Sequence, residues 1–300
     1  MDVHSRGPDF RQRILAGEVL FGSFLNLGSP LTAEIMGLSG LGWIVIDLEH
    51  GAGGEQEALA QLHAVGHTGT APIVRVESLA RPRIHRALDL GAAGVLVPRI
   101  DTLDEARLAV AYCRYSGLRG VARGNRAWQW SPATHMELGR ADAEVVCCIQ
   151  VETKSALRSI EEIAAVEGVD VLFVGPGDLA YALGIDGGPE HPDLLEAAAS
   201  VLAAARTSKK AAGILVETVE QAAIYCELGF TFIGCSSDGT LLAREGRRLV
   251  EGLNEIARHR VEASPVPAER PRGMLGVNRP DALQERRGEP VSPGEGRKRQ

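Results

Sequence analysis

The residues with the most chemistry in this chain stand at the ends of apolar runs. Trp43–Gly51 reads WIVIDLEHG. Ile44, Val45 and Ile46 are β-branched and apolar in a row, which predicts a buried parallel strand. The run stops in Asp47, Glu49 and His50, groups that are costly to bury unless they are paired or used. Alternation by two puts Asp47 and Glu49 on one face, until the chain turns. Such an end can also serve only to cap the next helix, whose first turn favours acids. Arg75 stands between Val74 and Val76 in PIVRV. If the valines face outward, the arginine points inward and needs a carboxylate or a substrate beside it. An ion pair with Asp47 or Glu49 is the structural alternative. Gln150 and Glu152 are two apart in QVET and share a face. Asp178 lies in GPGDL, where glycines allow close backbone approach and a helix start favours an anion; it can equally be a simple N-cap. Glu152 and Asp178 together suit Mg²⁺ or Mn²⁺, which take oxygen ligands, water and substrate.

Two further patterns carry less. Val151-Glu152-Thr153 recurs as Val216-Glu217-Thr218, and spacing alone does not say which glutamate would hold a metal. His63 and His67 are four apart, a spacing that suits a metal pair. No third ligand is in view, so they read as an exposed helix face.

These groups need a scaffold that gathers them. Strands are expected at Leu20–Leu27, at the Trp43 stretch, and at Pro72–Val76, Gly94–Pro98, Val145–Val151, Val171–Val174, Gly213–Val216 and Phe230–Gly234. Helices are expected between them at Pro30–Leu38, Glu55–Val65, Pro82–Leu90, Thr102–Tyr115, Lys154–Val166, Asp193–Thr207 and Val219–Leu228, with a last one at Thr240–Arg258. Eight strands alternating with helices predict an α/β fold of the (β/α)8 TIM-barrel class. No GxGxxG follows strand one, which speaks against a dinucleotide-binding sheet. The polar residues then fall at the carboxyl ends of the strands, the face where such barrels carry their sites. Ser116–Gly139 breaks the rhythm, and a loop of that length predicts a lid or an interface.

The totals fit a globular domain: 45% apolar, 24% charged, net charge −7. That charge and the absence of a basic stripe argue against nucleic acid. No apolar run has the length of a membrane span. Five cysteines without a CxxC read as reduced core residues of a cytoplasmic protein. Residues 1–261 are expected to form the barrel. Residues 262–300, rich in Pro, Gly, Arg and Glu, are expected to be a disordered tail.

In this order, DLEHG, PIVRV, LDLGAAGVLVPRI, CRY with LRG, QVET and GPGDLA resemble the HpcH/HpaI aldolase family over about residues 10–258. The resemblance implies a barrel of the phosphoenolpyruvate/pyruvate-domain type. It also implies a class II, metal-dependent aldehyde-lyase, such as those cleaving 4-hydroxy-2-oxoheptanedioate or 2-dehydro-3-deoxyglucarate. Substrates would be a small 2-oxo acid and an aldehyde. By resemblance, Glu152 and Asp178 hold the metal: Mg²⁺ or Mn²⁺ first, Co²⁺ or Zn²⁺ as alternatives. Gln150 and the backbone at Gly177 and Asp178 bind pyruvate, and Arg75 stabilises the enolate oxygen. His50 is the acid/base, Asp89 raises its basicity and Asp47 supports the group. Asp89 ends a helix just before strand four, on the opposite face of its own barrel from His50. The resemblance therefore implies an obligate homo-oligomer, a hexamer by family expectation. The chain departs from the pattern at Cys113–Gly120, CRYSGLRG, which is two residues shorter in a loop that the resemblance places on the aldehyde side. The proline-rich tail is also extra. A citrate-lyase-like enzyme acting on acyl-CoA is the alternative, but no basic cluster outside the tail offers a CoA phosphate site. A non-catalytic keto-acid-binding barrel is a third reading, and the full set of polar positions argues against it.

Overall fold

The computed structural model describes residues 7–130 and 138–263. The chain divides into two compact units, residues 1–250 and 251–300. In the first, eight parallel strands close into a barrel in sequence order: β1 (Leu20–Leu25), β2 (Trp43–Asp47), β3 (Ala71–Arg75), β4 (Gly94–Val97), β5 (Val146–Val151), β6 (Val171–Val174), β7 (Ala211–Val216) and β8 (Phe232–Ser237). The helices are α1 (Gly7–Leu15), α2 (Pro30–Leu38), α3 (Glu55–Val65), α4 (Arg81–Asp89), α5 (Leu103–Cys113), α6 (Leu138–Glu144), α7 (Lys154–Arg158), α8 (Ile160–Ala164), α9 (Pro176–Leu183), α10 (Pro192–Thr207), α11 (Val219–Leu228) and α12 (Asp238–Ala263). The residues of α12 from Glu251 on belong to the second unit, of which nothing further is described.

Strand alternation sorts the apolar residues into two cores. Ile44, Ile46, Val74, Val95 and Ile149 point outward under the helices. Trp43, Val45, Ile73, Leu96, Cys148 and Phe173 fill the lumen. Trp43 stacks on Phe232 with centroids 4.1 Å apart. Gly22 makes room for it, since a Cβ there would lie 2.1 Å from the indole. α1 adds Phe10 and Ile14 below. Below the barrel, Arg11 Nη2 donates to buried Asp170 at 2.8 Å, and Arg114 joins the same carboxylate. The amino end is thus plugged, and the carboxyl end is left for polar groups.

Several elements differ from expectation. α1 was not predicted, because only Phe10 and Ile14 mark its buried side. Phe230 lies before β8, not in it; its apolarity serves a T-shaped contact with Tyr225 of α11. The expected helix 154–166 breaks at Ser159 into α7 and α8. Among the described residues, the break in rhythm at 116–139 holds a 3₁₀ turn, Arg126–Trp128, and the start of α6. Arg126 donates to the carbonyls of Leu62 and Leu90, near the C-termini of α3 and α4, as cations do at helix ends. Helices here run opposite to the strands, so the described part of this loop, anchored by Arg126, packs at the amino end of its own barrel and away from the carboxyl-end mouth. Trp128 is core, bonded to the Tyr115 hydroxyl at 2.8 Å, whereas Trp130 and Tyr181 are exposed. The expected tail, 262–300, lies outside the described residues except for Glu262 and Ala263, which end α12. Among the described residues no helix is long and apolar enough to cross a membrane. The five cysteines are free, and Cys113, Cys147 and Cys148 are buried.

Candidate active site

β2 and β3 pair with Asp47 beside Arg75. The valines flanking Arg75 lie in the outer core, so the arginine does point inward, where its guanidinium lies 5.3 Å from the Phe24 ring centroid. Arg75 Nε and Nη2 donate to the two Asp47 oxygens at 2.8 and 2.6 Å. Its Nη1 lies 3.2 Å from Glu49 Oε2. The ion pair weighed from the sequence is therefore present, and it fixes the guanidinium at the mouth. Two of its five N–H groups are left over for another acceptor. Burial alone would lower the Arg75 pKa, but Asp47, Glu49 and Glu152 more than offset it and hold the charge in place.

The strand ends at Asp47, the first of the polar residues that the sequence placed at its end. Asp47 Oδ1 takes the amides of Glu49 and His50 at 3.0 and 3.2 Å, and Asn26 donates to Oδ2 at 3.2 Å. Asp47 thus ties the turn to Arg75 and does not cap α3, which Gly54 and Glu57 cap instead. His50 emerges from that turn with its side chain 61% exposed, 3.8 Å from Glu49.

Across the mouth, Gln150 and Glu152 do share the inward face. Gln150 Nε2 donates to Glu152 Oε2, and the Arg99 amide donates to Oε1 at 2.9 Å. Burial, then the neighbouring Asp178 and Glu49 charges, raise the Glu152 pKa to about 7. Glu49 is raised too, first by burial, with Asp47 and Asp178 adding to it against Arg75 and His50. Asp178 belongs to this cluster and is not a cap: Gly175 is the N-cap of α9, with Pro176 following. The internal echo resolves as well. Glu152 is 3% exposed, whereas Glu217 is solvent-exposed. Thr153 and Thr218 both cap the next helix, so the repeat is a strand-to-cap signal and only one glutamate faces the lumen.

Acidic groups crowded around one arginine make a site short of positive charge. Among the described residues no three His, Cys, Asp or Glu side chains form a complete metal cage. Glu152 and Asp178 are two carboxylates near enough for the Asp178 charge to act on Glu152, and a metal held by such a pair needs water and substrate to fill its shell. Four buried polar atoms at this end accept or donate no hydrogen bond within the protein: Asn26 Oδ1, Gln150 Oε1, Ser236 Oγ, and Glu49 Oε2, which has only its ion-pair contacts. The first amides of α9, at Gly177 and Asp178, precede its first internal bond, from Leu179 to Gly175, and suit an anion.

Asp89 is not brought to His50 within the chain. It ends α4, at the amino end of the barrel, and takes a bond from Arg119 Nη2 at 3.0 Å. Arg119 is itself packed 4.3 Å from the Tyr115 ring centroid. His63 and His67 are on an exposed face, and His67 pairs with Glu34.

This arrangement matches known proteins along most of its length. The model of the HpcH/HpaI aldolase/citrate lyase family matches residues 20–244. The chain belongs to that family. It is 36% identical over 249 residues to a hydroxypyruvate/pyruvate aldolase of Cupriavidus necator, covering 82% of this chain and 92% of the relative. It is 37% identical over 251 residues to a 4-hydroxy-2-oxovalerate aldolase of Rhodococcus jostii, covering 83% and 96%. A crystal structure of a family protein from Burkholderia cenocepacia superposes with a TM-score of 0.78 at 37% identity, covering 82% of this chain and 99% of that one.

Three site residues were missed from sequence. Asn26 was absorbed into the expected first strand, and Arg99 into the expected loop after strand four. The rule that polar groups gather at carboxyl ends would have found both. Gly175 was quoted only within its loop, yet the site leaves no room for a side chain there. A Cβ there would lie 2.7 Å from both Gln150 Nε2 and Glu152 Oε2. Gly175→Ala is expected to push these side chains apart and to cost about 1–3 kcal/mol. Urea unfolding measures that cost. A metal titration of the same variant should show the acidic pair weakened.

Proposed function

We propose that this chain is a divalent-metal-dependent aldolase. It would reversibly cleave a 4-hydroxy-2-oxo acid into pyruvate, or a close 2-oxo acid, and an aldehyde. The observation that carries the reading is the meeting of two charge systems at one mouth: an Arg75 fixed by Asp47, and a cation-deficient Glu152 and Asp178. The family relatives named as 2-oxo-acid aldolases support it.

Glu152 and Asp178 would hold the metal, Mg²⁺ or Mn²⁺ by preference and Co²⁺ or Zn²⁺ as alternatives. The bound ion would supply positive charge where the 2-oxo group becomes an enolate. Gly177 and Asp178 would receive the carboxylate on their free amides. Gln150, whose Oε1 has no partner, would orient the same moiety. His50 would take the proton from the C4 hydroxyl. The C3–C4 bond then breaks, the aldehyde leaves, and the electron pair passes to the 2-oxo oxygen. The spare N–H groups of Arg75 would stabilise that charge. Protonation at C3 gives pyruvate.

Asp89 would assist His50 from a second copy, which makes the working form a homo-oligomer, a hexamer by family expectation. Apolar side chains without cover support this: Leu31, Ile35 and Leu38 are all exposed on α2. Mixing inactive H50A and D89A proteins should restore activity if sites span two copies, and no recovery would end that part of the reading. The free cysteines support residence in the cytoplasm, which cell fractionation checks.

Proton exchange tests the reaction. In D₂O the protein should exchange the pyruvate methyl protons only with a divalent metal present. Absence of exchange with every metal tried would overturn the aldolase reading and turn attention to acyl-CoA thioesters.

A further inference from the structure

Arg75 can meet a developing charge only if the carboxylate that holds it stays in one place. Asp47 Oδ1 takes Arg75 Nε and the amides of Glu49 and His50. Oδ2 takes Arg75 Nη2 at 2.6 Å and one further side chain, Asn26 Nδ2 at 3.2 Å. A carboxylate only accepts, so it is the amide nitrogen of Asn26 that faces it. β2 lies between β1 and β3. Arg75 therefore pulls on Asp47 from the β3 side, and Asn26 holds it from the β1 side.

Asn26 is well fixed for this. It stands just past β1. Its N–H donates to Asp238 Oδ1 at 2.8 Å, and its carbonyl accepts from the Ala52 amide at 2.8 Å. Asp238 is 5% exposed and is tied in turn to Thr32 Oγ1. The Asn26 backbone is thus clamped between the start of α12 and the turn that carries His50. Its Oδ1, however, is buried without a partner. An unpaired buried acceptor lowers stability, which offsets what the bond to Asp47 contributes on the other side of the same amide. What the side chain supplies is direction rather than stability.

We infer that Asn26 is a positioning residue for Arg75: it pins Asp47 from the β1 side, so that the spare guanidinium N–H groups stay aimed at the forming enolate oxygen. The inference rests on the aldolase reading. Displacing a reacting or stabilising group by about 1 Å can cost ~100-fold in rate, and one neutral bond acting through a second residue is worth less than that.

The test is steady-state cleavage of a 4-hydroxy-2-oxo acid with Mn²⁺ present, beside urea unfolding. N26L matches the amide in size and removes both the donor and the unpaired acceptor. It should unfold near the wild-type midpoint yet lower kcat by roughly 5- to 20-fold. KM should stay within about two-fold, because Asn26 does not touch the 2-oxo acid. In an R75K background N26L should cost little more, since the group it acts through is already gone. N26D keeps the shape but turns a second acceptor on Asp47. Between Asp47 and Asp238 the new carboxyl should take up a proton readily. The N26D kcat, as a ratio to wild type, should therefore recover on acidification, when that carboxyl can donate again. An unchanged kcat in N26L, or a loss as large in R75K as in wild type, overturns the inference. If N26L does not fold, N26D decides alone, and a ratio flat with pH overturns it. Failure of the underlying reading shows separately, as a wild-type protein that exchanges no pyruvate protons with any metal.

Discussion

Arg75→Met is expected to lower the turnover of a 4-hydroxy-2-oxo acid by about 10²- to 10³-fold, the usual cost of removing one fixed donor from a developing anion. It should also destabilise the protein by about 3–5 kcal/mol, the cost of breaking a buried pair. Arg75 is 7% exposed and Asp47 2%. Methionine fills much of the volume but strands Asp47 and Glu49 beside the Glu152 carboxylate. The variant should regain part of its stability on acidification, because stranded carboxylates can then take up protons. Arg75→Lys separates the two effects. It keeps the charge and much of the stability, but one ammonium cannot reproduce the Nε/Nη2 pair to Asp47 and still serve a substrate. Steady-state kinetics and urea unfolding of both variants measure this. A Met variant with near-normal turnover would remove Arg75 from the reaction and leave it as a structural ion pair.

Much of this site was legible in the sequence because burial and alternation act together. Val74 and Val76 fix which way Arg75 points. Gln150 and Glu152 share a face for the same reason. The barrel itself was legible from eight apolar runs alternating with helical stretches. What was not legible depends on distance between elements. Arg75 could pair with Asp47 or Glu49, and only the register of β2 on β3 shows that it holds both. Two V-E-T strand ends looked equivalent, and only position around the barrel separates buried Glu152 from exposed Glu217. Gly175 is ordinary in a helix-start loop until Gln150 and Glu152 are placed against it. The break in rhythm after Tyr115 was visible, but not that Arg126 would anchor it to the C-termini of α3 and α4. α1 was hidden for a related reason: its role is to close the amino end with Phe10 and Ile14, and two apolar residues make too short a pattern.

Divalent metal should stabilise the wild-type protein and do nothing for Glu152→Ala. A ligand at about 100 times its Kd adds about 2.7 kcal/mol to the folded state, which in a chain of this size raises Tm by roughly 5–10 °C. The effect should depend on pH in a defined direction. Glu152 has a pKa of about 7, above the ordinary carboxylate range, so the folded metal-free protein holds a proton that the unfolded chain has released. Between the two pKa values folding is therefore favoured by acid, and the metal-free protein loses stability as pH rises towards 7. Metal needs the ionised form, so its stabilising increment should grow over the same interval. Glu152→Ala removes both the ligand and the buried acid. It should flatten this pH dependence, abolish the metal increment and end metal-dependent proton exchange with pyruvate. Differential scanning fluorimetry at pH 6 and pH 8, with chelator and with Mn²⁺, distinguishes these cases. A wild-type increment that survives in Glu152→Ala would place the metal elsewhere. An increment absent from wild type at both pH values would overturn the metal site, because the acidic cluster would then be neutralised by protons alone.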